Sequence, residues 1–287
     1  LQAYRKHAVL GVKEQEVIHM RIQDWVERYI EVESLFPEEQ HAADLPLRKV
    51  TSINQIETIA LELRDYWNLG YDPIENLIQL LEDRGIKVGI ISGFEHVDAC
   101  TFTYSTQSCK ADGDPVIVTK GELSGDRQRF NLGHELGHLI LDIEGDLKPE
   151  QAANRFVGAF LVPAATARFE LGSNRTDLNI NELHMLKHKY GLSMQAWVYR
   201  AKDLSIISEN TATRLFQQFR INNWQRHEPG KPYPSETPIR MERLIYRALA
   251  EDLISQSRAQ ELLGKSLQPG WDMETPQQND FAIRSGN

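Results

Sequence analysis

The sequence has few cysteines, no long apolar run and no excess of basic residues. Cys100 and Cys109 are its only cysteines, too few and too widely spaced for a disulfide framework or a thiolate zinc site. We expect reduced thiols in a cytoplasmic protein. No stretch approaches the roughly 18 to 20 uninterrupted apolar residues of a membrane-spanning helix. The first residues lack the pattern of a secretory signal, so we expect a cut or processed terminus.

The charge balance disfavours a nucleic-acid partner. Against 41 acidic residues stand 32 lysines and arginines, which gives a formal charge of -9. Such a chain repels phosphate unless a local basic patch overrides the net charge. Hydrophobic residues make up 41% of the chain and charged residues 25%, which is typical of a soluble globular protein and excludes disordered and collagenous classes.

Apolar periodicity divides the chain into helical and sheet-forming parts. Residues 1–45 form a predicted helical connector, with a long amphipathic helix over residues 12–36. Residues 46–170 form a predicted core, in which Asp72 and Pro73 open a helix after an earlier one over residues 53–67. The β-rich runs KVGII, CTFTYST and DPVIVTK follow. Because a small sheet lies among helices, the fold class is predicted to be α+β.

The second half of the chain is predicted to be mainly helical. The helical pattern runs from Asp126 to about residue 219, and we expect residues 171–226 to be a helical region packed on the core. Residues 227–238 hold four prolines and indicate a linker or extended arm. The region 227–287 is completed by a helical stretch over residues 241–264 and a loose tail.

One motif carries chemistry. His134, Glu135 and His138 form the HExxH pattern. Four residues of an α-helix turn by about 400°, so the two histidines project from one face, one turn apart, within reach of the same metal ion. Glu135 lies about 100° around the helix, where its carboxylate can face a water molecule. Leu132, Leu136 and further apolar residues through Ile143 predict a buried stripe on the same helix.

A third metal ligand is expected beyond this helix. Pro149 suits the first position of a helix, which makes Glu150 and Asn154 neighbours one turn apart. Glu150 is then placed to complete a His-His-carboxylate set, and Asn154 to accept a ring N–H from a histidine. The histidines could instead be surface polar residues, Glu150 an ordinary first-turn charge and Asn154 a solvent-exposed residue. Competing acidic ligands are Asp142, Glu144 and Asp146.

The sequence resembles the ImmA/IrrE-type metallopeptidases of bacteria and phages. The resemblance is carried by residues 73–88, 115–118, 126–141, 150–163, 190–204 and 242–264. It implies a zincin-like core and a zinc-dependent endopeptidase, with Mn²⁺ as a possible metal. It also implies that His134, His138 and Glu150 are metal ligands and that Glu135 is the general base, which takes a proton from the water that attacks a peptide bond.

The resemblance extends to partners and regulation. Family members commonly cleave, or promote cleavage of, a helix-turn-helix repressor and so relieve transcription of mobile-element or stress genes. Many carry an Xre-type DNA-binding domain at the N-terminus, and the helix over residues 12–36 looks like a connector to such a domain. Gly133 stands where the family often has alanine, a departure that threatens neither metal nor base.

Several assignments stay open at the level of sequence. Donors that could stabilise a tetrahedral oxyanion are His184, His188, Tyr190 and Tyr104. The PVIV segment at residues 115–118 is a candidate edge strand for an extended peptide. Two other functions compete with the peptidase. One is a regulatory module that binds metal and a repressor without turnover, and the other is a transcription regulator using helices at residues 180–204 or 251–264. The sequence indicates no oligomeric state.

Overall fold

The structure, a computed structural model, describes residues 2–3, 12–39, 42–43, 45–91, 98–104 and 113–267. Eleven α-helices form within these residues: α1 (Val12–Ser34), α2 (Ile56–Tyr66), α3 (Leu77–Asp83), α4 (Gly125–Ile140), α5 (Pro149–Leu161), α6 (Ala164–Leu171), α7 (Ile180–Tyr190), α8 (Met194–Asp203), α9 (Glu209–Ile221), α10 (Arg240–Ala250) and α11 (Gln256–Leu263). The strands in the same residues are β1 (Gln2–Ala3), β2 (Arg48–Val50), β3 (Lys87–Ile91), β4 (Ala99–Tyr104), β5 (Asp114–Lys120) and β6 (Leu141–Ile143). The predicted α+β class is confirmed.

The main sheet has the strand order β1-β4-β5-β3. Strand β5 runs parallel to β3 and antiparallel to β4, so hydrogen bonds use both of its sides. The prediction that residues 115–118 form an edge strand is therefore wrong. The central position of β5 agrees with its apolar run. Val116, Ile117 and Val118 are all fully buried, as expected for a strand in the middle of a sheet that is covered on both faces.

Alternate residues of β5 face two different layers. Ile117 packs in the main core with Leu132 and Leu136 of α4. Val116 and Val118 point the other way, into a second apolar cluster that includes Ile18, Ile22 and Val26 of α1, together with Cys100 and Phe102 of β4. The sheet thus lies between α1 on one face and the HExxH helix on the other.

Helices α4 and α5 pack closely because two glycines of α4 face α5. A Cβ atom at Gly133 would come within 2.5 Å of Val157, and one at Gly137 within 3.1 Å of Phe156. The absence of side chains at these positions lets the two helix backbones approach. This contact sets the distance between the helix that bears the histidines and the helix that bears Glu150.

The predicted helix through Ile143 is wrong in its last turn. Helix α4 ends at Ile140, and β6 (Leu141–Ile143) pairs in parallel with β2 (Arg48–Val50). The short run Leu141–Ile143 is compatible with a helix or a strand by its local pattern. It forms a strand because it pairs with the distant residues Arg48–Val50. Helix α3 also begins later than predicted, at Leu77, because the Asn76 side chain accepts a 2.8 Å hydrogen bond from the backbone of Gln79.

The end of α1 meets α10 and α11 in a third apolar cluster. Val32 and Phe36 pack against Leu244 and Ile245 of α10. Residues 241–264 form the two helices α10 and α11 rather than one, since Ser255 caps a new start with a 3.2 Å bond from Arg258 N. No described helix combines the length and apolarity needed to cross a membrane. The predicted domain boundaries remain predictions, and the predicted tail at 268–287 and Cys109 lie outside the described residues.

Candidate metal centre

Helix α4 presents the two motif histidines side by side. His134 and His138 lie one helical turn apart, with ring planes at 90° and centroids 4.6 Å apart. Their Nε2 atoms approach to 3.0 Å. Because residues 125–140 are helical, the geometric condition for a shared metal ion is met.

Helix α5 brings a carboxylate to this pair. Pro149 occupies the first helical position, and Glu150 follows in the first turn. Glu150 Oε2 lies 3.1 Å from His134 Nε2, and Oε1 lies 3.7 Å from His138 Nε2. His134, His138 and Glu150 are the group of three ligand-type residues found among the described part of the chain, with ligand atoms within 4.8 Å of one another.

Asn154 fixes the orientation of one ring. Its Oδ1 lies 2.9 Å from His134 Nδ1. An amide oxygen can only accept, so this contact requires the proton on Nδ1 and leaves Nε2 of His134 with a lone pair. That lone pair is on the side of Glu150 and His138, where a cation would be held.

Glu135 contacts strand β4 of the main sheet. Its Oε2 accepts a 2.6 Å hydrogen bond from the Thr101 hydroxyl of β4. Thr101 could not be predicted from the spacing around the HExxH motif, because it lies 34 residues before Glu135 and in a strand. Period-two alternation in CTFTYST was an available signal, since it places Thr101 on the face opposite Cys100 and Phe102.

The centre opens on one side to solvent. The side chains of His134 and His138 are 16% and 9% exposed, whereas Glu150 is 63% exposed. Glu150 and Asn154 line a groove of about 960 Å³. A second groove of about 530 Å³ lies beside residues 224–232. Phe130, Ala196 and Tyr199 line both grooves, so the two grooves adjoin at these residues.

The sequence of this region matches a known protein family. Residues 82–202 match the model of the M78 peptidases, described as the IrrE N-terminal-like domain. The resemblance to the ImmA/IrrE-type metallopeptidases is confirmed over these residues. The M78 domain contains the HExxH helix, Glu150 and Thr101, and it fits the predicted zincin-like core. A comparison with curated proteins finds no match to the chain.

The residues of the M78 domain fit a divalent metal such as zinc. Two nitrogens bound to tetrahedral zinc at about 2.0 to 2.1 Å lie roughly 3.3 Å apart. The observed separations of 3.0, 3.1 and 3.7 Å between the three ligand atoms are close to this value. Two imidazoles and one carboxylate with an open side are also the donor set of catalytic zinc sites.

The competing acids do not join this group. Glu144 follows β6, and its Oε1 accepts a 2.6 Å hydrogen bond from Lys49 of β2. Asp142 lies in β6, where it pairs in register with Lys49, and Asp146 follows in the turn before α5. Within the described residues, the metal-ligand group of the M78 domain includes none of these three.

The four candidate oxyanion donors have other surroundings. Tyr190 donates to Glu170 at 2.7 Å. His188 lies 3.1 Å from the Lys231 carbonyl and packs against His184, both beside the 227–238 segment. Tyr104 packs with the apolar cluster on the α1 face of the sheet. The structure thus brings His134, His138, Glu150 and Asn154 together and holds Glu135 against Thr101. The observed contacts of the four candidate donors are with other residues.

Proposed function

We propose that the chain is a metal-dependent endopeptidase of the M78 type, with His134, His138 and Glu150 as ligands and zinc as the metal. The observation that carries the proposal is the convergence of ligand atoms from these three residues within 4.8 Å of one another. The ligands stand on two helices held by tight packing, which is the rigid support a catalytic site requires.

The chemistry follows from the position of each side chain. When bound, a divalent metal supplies Lewis-acid polarisation of the scissile carbonyl and acidifies a water molecule. Glu135 takes a proton from that water as its oxygen attacks the carbonyl carbon, then delivers the proton to the leaving amine nitrogen. Asn154 keeps the His134 ring in the tautomer that binds through Nε2. The exposed side of Glu150 leaves room for the substrate.

The shape of the centre supports a polypeptide substrate. The two grooves join at Phe130, Ala196 and Tyr199, and together they extend on one side from Glu150 to residues 224–232. Glu150 and Asn154 line the larger groove, so an extended chain in this groove would pass the proposed ligand Glu150. Strand β4 borders Glu135, and a peptide that adds a strand along residues 99–101 would also pass this carboxylate.

We propose a helix-turn-helix repressor as the natural substrate, which would make the protein a regulator of transcription in stress or mobile-element responses. The support is the resemblance to the ImmA/IrrE family together with the length of the joined groove. The net charge of -9 favours a protein substrate over direct action on DNA.

The test uses Glu135→Gln in the zinc-loaded protein. We expect wild type to cleave one member of a panel of helix-turn-helix repressors, or casein as a sequence-tolerant probe, as followed by mass spectrometry. Glu135→Gln should lower the rate by at least about 100-fold, the scale of general-base catalysis. Zinc content should stay at the wild-type level because Glu135 is not in the ligand group.

The control is Glu144→Gln, which removes an acid of the same neighbourhood that pairs with Lys49. We expect it to cleave at the wild-type rate. Equal rates for Glu135→Gln and wild type would refute the mechanism. If wild type binds a repressor and cleaves nothing with zinc or manganese, the protein is a binding module instead.

A further inference from the structure

Thr101 is buried at the meeting of the sheet and the HExxH helix. Only 5% of the surface of Thr101 is exposed. The hydroxyl Oγ1 donates to Glu135 Oε2 at 2.6 Å, within the range of a direct hydrogen bond between two oxygens. The neighbours Cys100 and Phe102 point to the opposite face, into the cluster with α1. Thr101 therefore faces the catalytic helix by the alternation of the strand.

The backbone of Thr101 is held firmly. Strand β4 pairs antiparallel with β5, and Thr101 lies opposite Ile117 in this register. Ile117 is fully buried and packs with Leu132 and Leu136 of α4 in the main core. The hydrogen bond from Thr101 to Glu135 thus joins a paired strand to a helix that packs in the same core.

We propose that Thr101 is a positioning residue that holds the Glu135 carboxylate in the orientation for proton transfer. This inference rests on the proposed peptidase function. With Oε2 occupied by the Thr101 hydroxyl, the proton from the attacking water goes to Oε1. The C–O bond to the carbonyl carbon then forms, the C–N bond breaks, and Glu135 returns the proton to the amine nitrogen. Thr101 keeps its own proton throughout and touches no reacting atom.

The kinetic experiment compares Thr101→Val, Thr101→Ser and Thr103→Val in the zinc-loaded protein. Valine keeps the shape of threonine and removes the hydroxyl, whereas serine keeps the hydroxyl. Thr103 lies two residues further along the same face of β4 and pairs with Pro115, so Thr103→Val is the matched control. We expect Thr101→Val to lower kcat about tenfold, a part of the 10²-fold to 10⁴-fold supplied by a general base. KM should stay within about twofold, because positioning acts after binding.

Rescue separates positioning from packing. Thr101→Ser should recover kcat to within about threefold of wild type, and Thr103→Val should match wild type. Zinc content and the unfolding midpoint are measured for all variants. A Thr101→Val enzyme with wild-type kcat would overturn the proposal, and so would a loss of kcat that serine does not recover.

An infrared measurement tests the contact without activity. In the metal-free protein, the difference spectrum between wild type and Glu135→Gln identifies the carboxylate stretch of Glu135. Thr101→Val should shift this band, because it removes a hydrogen bond to Oε2, and Thr103→Val should not. If wild type cleaves no substrate, the peptidase function fails while a shifted band still supports the Thr101 contact. An unshifted band overturns the positioning role even in an active enzyme.

Discussion

At the scale of single residues, we propose that Asn154 selects the nitrogen of His134 that would bind a metal. Its Oδ1 lies 2.9 Å from Nδ1, which directs the lone pair of Nε2 to the centre. We expect Asn154→Ala to weaken zinc affinity about 10-fold to 100-fold, the usual cost of losing a residue that orients a ligand. Competition with a chelating dye measures the affinity.

Gln151 supplies the control for this prediction. It lies on the same helix and lines the same groove as Asn154. Gln151→Ala should bind zinc as wild type does. If Asn154→Ala also binds at wild-type affinity, the His134 ring is oriented by packing alone and the role proposed for Asn154 is wrong.

At the scale of elements, the contact of α4 with α5 fixes the spacing of the ligands. A Cβ at Gly133 would meet Val157 Cγ2 at 2.5 Å, and Val157 is fully buried and stiff at its branched Cβ. We expect Gly133→Ala to lower the free energy of unfolding by about 1 to 2 kcal/mol. Overpacking outweighs the roughly 1 kcal/mol that alanine gains in helix propensity. Urea unfolding measures the change.

Two further variants test the cause. In Gly133→Ala with Val157→Ala, the new methyl group fills the space that valine leaves, so the double variant should be at least about 1 kcal/mol more stable than the sum of the singles predicts. Gly158→Ala is the control on α5, because its Cβ would meet Arg200 Cδ at an ordinary 3.6 Å. A destabilised Gly158→Ala would point to helix backbone strain instead.

The elements that sequence could predict are those specified by local spacing. The HExxH helix, the start of α5 at Pro149 and the strand at residues 114–120 all follow from periodicity and turn chemistry. Pairings between distant segments could not be predicted. β2 and β6 join residues about ninety positions apart, and the central place of β5 depends on strand order, which no local pattern encodes. Thr101 was missed for the same reason, since its partner lies across the sheet and helix interface.

At the scale of the whole molecule, the 227–238 segment ties the core to the terminal helices. Gly125 N, at the start of the HExxH helix, donates to the Tyr233 carbonyl at 2.9 Å. Glu236 accepts from the buried Arg129 at 2.7 Å and from Ile78 N at 2.9 Å. The segment that its prolines predict to be a linker or extended arm is therefore bound along the first two turns of α4. The buried ion pair between Arg129 and Glu236 is costly to break.

The same segment ends on a buried carboxyl group of α3. Glu82 is 4% exposed, and its Oε2 accepts from the backbone of Ile239 and Arg240 at 3.3 Å each. Burial raises the pKa of Glu82 to about 7, from an ordinary value of 4.5. Because the folded pKa is the higher one, folding favours the protonated form. Its contribution to stability is present below pH 4.5 and is lost as the pH rises through 7.

Glu82→Gln turns this linkage into a measurement. Glutamine stays neutral at every pH, so the variant should gain on wild type as the pH rises from 5 to 8, by about 3 kcal/mol over the full range. If the amide group of glutamine changes the free energy of unfolding, it does so equally at each pH. The dependence of the difference on pH is therefore unchanged. Urea unfolding of both proteins at four pH values gives the difference, in which all other titrating groups cancel. A difference that does not vary with pH would mean that Glu82 ionises normally, and that α10 is joined to the core without cost from a buried charge.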